Sequence, residues 1–121
     1  MERRKVGTKR GLNMREIKFR MQDALGNWVY VTIWNVYPIK MEYYNNLCQY
    51  TGLRDKNGTE IYEGDIVIKH GTDYDPNTWG GENRVVVYVD GTWYPVAKCY
   101  FDVSLIEVIG NVYENPELLE D

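Results

Sequence analysis

Hydrophobic and polar positions alternate with a period of two along most of the chain. In "REIKFRMQ", residues 15–22, Ile17, Phe19 and Met21 fall on one side and Lys18, Arg20 and Gln22 on the other. That is the pattern of a half-buried strand. The turn residues "DALGN" follow, and then "WVYVTIWNVY", rich in β-branched and aromatic types that suit a pleated surface. The runs 15–22 and 27–36 predict a hairpin. Both faces of its second strand are apolar, Trp28, Tyr30 and Trp34 against Val29, Val31 and Ile33. Such a strand is covered on both sides or meets a partner chain.

Pro38 stops that strand, because it has no N–H to give a ladder. "IKMEYYNN" fits no single element. "LCQYTGL" predicts a short strand that ends at Thr51-Gly52, "RDKNGTE" a turn, and "EIYEGDIVIKH" a return to extended structure with a bend at Gly64. Residues 71–83, "GTDYDPNTWGGEN", predict a long loop. "RVVVYV" is a strand, Asp90-Gly91 a two-residue hairpin turn, and "TWYPVAKCYF" the returning strand, with Pro95 marking an edge or a bulge. "VSLIEVIGNVY" is a last strand that breaks near Gly110. "ENPELLED" suits one helical turn, with Pro116 at its first position. The sum is six to eight short strands with turns at close intervals and no helical periodicity of useful length. The expected fold is all-β, a small partly open barrel or sandwich of short antiparallel strands with a short C-terminal helical turn.

Length changes the picture only by limiting it: 121 residues make one domain. Charge changes it more. Residues 1–13 hold five Lys/Arg and one Glu, a balance of +4, and residues 14–121 hold nine Lys/Arg and seventeen Asp/Glu, a balance of −8; together these give the −4 of the whole chain. The basic stretch 1–13 is expected to be a disordered extension, and 14–121 the single β domain. "KRGLNMREIKF" further suggests that translation starts at Met14, an expectation that the intact mass of the natively produced protein would check. An acidic body repels phosphate backbones, so nucleic acid is not the expected partner. No apolar run is long enough for a bilayer and no signal segment opens the chain, so a soluble, unexported protein is expected. Cys48 and Cys99 lie far apart and outside any CxxC, and are expected to be free, buried thiols.

Candidate chemistry is sparse. The only histidine, His70, rules out multi-histidine zinc sites; as a base it would need Asp65 or Asp73 beside it. Asp55, Asn57 and Glu60 suggest calcium, but counting from Asp55 puts Gly58 fourth and Ile66 twelfth, which is not an EF-hand. Asp73, Asp75, Asn77 and Glu82 are weak metal candidates in the 71–83 loop, with Thr78 and Arg84 where the glycine and terminal acid belong. No nucleophile elbow, phosphate loop or dinucleotide fingerprint occurs. Catalytic residues and cofactors are therefore assigned as none. Eleven tyrosines and four tryptophans are the oddity. Most suit a β core. Tyr43, Tyr44, Tyr74 and Trp79 lie in polar surroundings, so that some are expected to be exposed as a binding surface.

Three blocks, "MREIKFR" at 14–20, "LCQYTGLRDKNGTEIYEGDIV" at 47–67 and "IEVIGNVYENPELLE" at 106–120, together resemble the YopX family of small phage and prophage proteins. The resemblance runs from Met14 to the end of the chain. It implies a mainly β fold and a phage or prophage gene acting in the bacterial host cytoplasm, and it carries over no catalytic residue and no cofactor. In the middle block Tyr50, Thr51, Gly52, Asp55, Gly58, Ile61, Tyr62, Gly64 and Asp65 read as the structural signature of the fold. Asp65 is expected to accept backbone N–H groups at the Gly64 bend. The expected role is a non-enzymatic accessory protein that binds a host or phage protein or its own copies. A nucleic-acid module using aromatics and the basic tail, and a metal-dependent hydrolase using the acidic loop, are the alternatives.

Overall fold

The computed structural model describes residues 16–32, 34–35, 40–71, 79 and 81–120. These hold nine strands: β1 Lys18–Gln22, β2 Trp28–Thr32, β3 Asn45–Arg54, β4 Glu60–Tyr62, β5 Asp65–Lys69, β6 Arg84–Val85, β7 Val87–Val89, β8 Thr92–Tyr94 and β9 Ile106–Asn111. They form a four-stranded sheet in the order β2-β1-β3-β4, a three-stranded sheet β6-β5-β9 and the hairpin β7-β8, with every pairing antiparallel. Short 3-10 turns lie at Met41–Tyr43, Val103–Leu105 and Pro116–Leu119, the last with Pro116 at its start. The fold is all-β, as the alternation predicts, and among the described residues the sheets do not close into a barrel. Among the described residues no helix is long and apolar enough to cross a membrane.

The first hairpin follows its pattern. Met21 pairs with Val29 and Phe19 with Val31, so the alternating apolar side chains meet on one face, where Met21 and Val31 are buried. Asp23 closes the turn by accepting from the Leu25 and Asn27 N–H groups. The other face departs from expectation. Arg20 sits on the polar side of the alternation, yet it is buried at 8% exposure, because Trp28, Tyr62 and Cys48 cover it.

β3 does not end at Thr51-Gly52. It bulges there and runs on to Arg54, with Gly52 at φ +87°. The Thr51 hydroxyl spans the irregularity: it donates to the Ile61 carbonyl and accepts from the Leu53 N–H. Other local expectations need similar adjustment. "RVVVYV" is divided at Val86, whose N–H and C=O bond Asp65 and Gly64, and beyond it the chain leaves β5 to pair with β8. Asp90 and Gly91, both at positive φ, make the two-residue turn between β7 and β8. The return strand is only Thr92–Tyr94, since Pro95 has no N–H to extend the ladder and turns follow.

The main core gathers Ile61, Val67, Trp79, Val86, Trp93, Val96 and Ile106 from every sheet. β5 runs through the middle, buried at both Ile66 and Val67. Gly64, just before it, has φ +87°, and a Cβ there would lie 3.1 Å from the Tyr113 ring. Gly64→Val should therefore cost about 1–3 kcal/mol, from the left-handed backbone and the crowded ring together. Urea unfolding measures this, and a midpoint equal to the parent's would refute it.

Candidate functional site

The quoted middle block forms two joints between the sheets. The first is the turn after β3. Asp55 is buried, and its Oδ1 accepts from the Asn57 and Thr59 N–H groups, which closes the loop that Gly58 permits at φ +83°. Its Oδ2 accepts the Val108 N–H at 2.8 Å, and the Lys56 N–H donates to the Ile106 carbonyl. One carboxylate thus holds a turn of the four-stranded sheet against β9 of the three-stranded sheet. Backbone amides use both its oxygens, and the turn is a structural device.

The second joint is charged. Arg20 Nη2 donates to Asp65 Oδ1 at 2.6 Å, and Asp65 Oδ2 accepts the Tyr62 N–H at 2.8 Å, at the Gly64 bend. The guanidinium carbon lies 4.3 Å from the centre of the Trp28 ring and 4.4 Å from that of Tyr62. A planar cation between two aromatic faces gains from both quadrupoles. Burial pushes the Asp65 carboxyl up from its ordinary value, opposed by Arg20 and the Tyr62 amide. Burial also opposes the charge on Arg20, but Asp65 and Tyr30 outweigh it and raise the guanidinium above its usual range. Arg20 Nε is buried without a hydrogen-bond partner.

Aromatic rings extend outward from this pair. Tyr62 packs against Tyr30 and Tyr50, and Trp28 meets the edge of Tyr113, with centroids 5.3 to 6.2 Å apart. Trp28 Nε1 donates to Glu114, which also accepts from Asn111 Nδ2. Burial pushes the Cys48 thiol up, so Cys48 is an inert core residue. Cys99, expected to be buried, is instead exposed; both thiols are free.

Lys18 and Glu60, 2.6 Å apart, border the cluster. Burial raises the Glu60 carboxyl, but the Lys18, Tyr62 and Arg54 contacts outweigh it, so its pKa is lowered overall. A carboxylate held low in the folded state adds stability above its ordinary range, and the gain is lost as pH falls through the lowered pKa. Glu60→Gln should therefore flatten the fall in melting temperature below about pH 4.5. Parallel acid limbs for the two chains would overturn this.

The remaining candidates separate. Trp79 is a correction: expected at the surface, it is 3% exposed, packed on Phe101 and Arg84, with its Nε1 donating to the Glu82 carbonyl. Its polar sequence neighbours hid a core residue. Tyr43 is 66% exposed and Tyr44 half-buried. Tyr74, Asp73, Asp75 and Asn77 lie outside the described residues. Glu82 accepts from Arg84, and no cluster of three or more His, Cys, Asp or Glu among the described residues is placed to hold a metal. His70 Nε2 lies 2.7 Å from Glu107, while Asp65 is committed to Arg20. The sequence reading missed Arg20, Trp28 and Tyr113. Their only local sign was an arginine facing an aromatic-rich neighbouring strand.

These features define a small all-β domain whose sheets are joined through one buried ion pair and one buried carboxylate. The chain belongs to the YopX family, matching the YopX protein description over residues 8–120. The match begins inside the basic stretch 1–13. Among solved structures the chain is similar to protein EF1440 from Enterococcus faecalis, with 25% identity, a TM-score of 0.55, and coverage of 86% of this chain and 98% of that one. Comparison with curated proteins gave no match.

Proposed function

We propose that this YopX protein is a non-enzymatic binding module, encoded by a phage or prophage, that engages a host or phage protein in the bacterial cytoplasm. The observation that carries this reading is the concentration of large exposed apolar side chains between Leu25 and Leu47. Trp34 is 88% exposed and Tyr43 66%, with Leu25, Tyr30, Met41 and Leu47 also exposed. All belong to β2, β3 or the segments beside them. Large exposed apolar groups favour a contact surface, and aromatic residues are the type enriched in protein interfaces. A protein partner is favoured over nucleic acid because residues 14–121 balance to −8, while Lys18 and Arg20 are engaged with Glu60 and Asp65.

The test is affinity capture from host lysate, with and without phage gene expression, by the parent chain and by a Trp34→Ser/Tyr43→Ser variant. The expected result is a stoichiometric partner held by the parent and lost by the variant at unchanged melting temperature. Equal capture by both, or no partner for either, would count against this surface.

A further inference from the structure

Among the described residues β2 is an edge strand of its sheet. Exposed edges of natural sheets are usually guarded by charge, proline or a bulge, because unpaired backbone groups recruit further strands. β2 has none of these guards: "WVYVTIWN", residues 28–35, contains no charged residue and no proline. We propose that Asn35 is the guard, and that its side chain closes the β2 edge against pairing with β2 of a second copy of this chain.

The geometry is local. After Thr32 the chain turns, with the Asn35 N–H donating to the Thr32 carbonyl. This folds the Asn35 side chain back along the strand. Its Oδ1 accepts the Thr32 N–H at 2.7 Å, and its Nδ2 donates to the Tyr30 carbonyl at 3.5 Å. In an antiparallel pair, alternate residues direct both backbone groups to the same side. Thr32 and Tyr30 therefore face away from β1, and Trp28 faces out with them. Asn35 takes three of the outward groups: the Thr32 N–H, the Thr32 C=O and the Tyr30 C=O. A side-chain amide presents N–H donors and a C=O acceptor, the same kinds of group as a peptide, so it supplies bonds that an added strand would otherwise make.

A second copy is the occupant because the edge complements itself. A two-fold axis at Tyr30 would set Tyr30 against its own copy and Trp28 against Thr32 of the other chain, which is an isologous contact. The lack of charge along 28–35 lets two acidic bodies meet here without like charges at the seam.

The experiment compares Asn35→Ala with the parent chain by light scattering over a concentration series and by amide hydrogen exchange. Tighter self-association, about tenfold or more, is expected on freeing the Thr32 N–H and the Tyr30 C=O in both copies, with the Tyr30 amide becoming protected as concentration rises. A folded variant that associates no more than the parent overturns the proposal. So does association without protection of the Tyr30 amide. Asn35→Ser, equally unable to reach both groups, gives the same reading if the alanine variant does not fold. If neither folds, Asn35 is a folding residue and the proposal fails.

Discussion

Asp65→Asn is expected to destabilise the protein by about 3–5 kcal/mol, because it leaves the Arg20 charge buried and unpaired. Asparagine keeps the shape and can still accept the Tyr62 N–H, so the loss isolates the charge. Arginine cannot shed its proton in a protein interior, and Trp28 and Tyr62 flank the guanidinium, with the side chain only 10% exposed. The Arg20 charge does not titrate between pH 5 and pH 7, so any change in the penalty over that window comes from the parent's Asp65, whose raised carboxyl adds stability that is lost as pH rises through its folded pKa. Arg20→Met should behave differently. It fills much of the volume and leaves Asp65 buried, but a carboxyl already pushed up by burial can take a proton. The folded variant then binds a proton that the unfolded chain does not. Its penalty should shrink as pH falls and grow as pH rises through the new folded pKa. An apolar pair at both positions should recover part of the loss, since a buried ion pair and a packed apolar pair are often of similar worth. Denaturant unfolding of the two single variants and the double at both pH values measures all of this. A loss below about 1 kcal/mol for Asp65→Asn would place Arg20 in contact with solvent and refute the burial argument.

The same pair marks the boundary of what could be read from the chain. The Asp55 turn was legible because its closing bonds are local: the side chain reaches two and four residues along to Asn57 and Thr59. The Asp90-Gly91 hairpin and the β1–β2 pairing were legible for the same reason. Arg20 and Asp65 are 45 residues apart, and no local pattern pairs an arginine on one strand with an acid on another. Alternation placed Arg20 on a polar face, and only the covering aromatics made that face interior. The three blocks by which the chain resembles its family meet at these joints: Arg20 from the first, Asp55, Tyr62 and Asp65 from the second, and Val108 and Tyr113 from the third. That convergence argues that the blocks specify how the sheets are joined. The exposed apolar side chains at Trp34 and Tyr43 lie between the blocks, on surface that the joints leave free.

Trp79→Ala is expected to cost about 3–5 kcal/mol, as large-to-small changes in a packed core do. The ring packs on Phe101 and under the Arg84 guanidinium, within the cluster that holds Val86, Trp93 and Ile106. Removing it would open a cavity beside Phe101, and would take one of the two rings from the Arg84 guanidinium, which also lies over Phe101 and donates to Tyr94 and Glu82. Trp79→Phe should cost less. It keeps most of the packing and loses the indole N–H donated to the Glu82 carbonyl, which leaves a loss of roughly 1–2 kcal/mol for that bond and the smaller ring. The two readings of this tryptophan separate cleanly here. A surface anchor would change stability by no more than about 0.5 kcal/mol on truncation and would weaken partner capture. A core residue reverses both outcomes: the alanine variant loses stability, and at a temperature where it remains folded it captures the same partner as the parent. Trp34→Ala, at 88% exposure, provides the opposite control, with melting unchanged and capture lost.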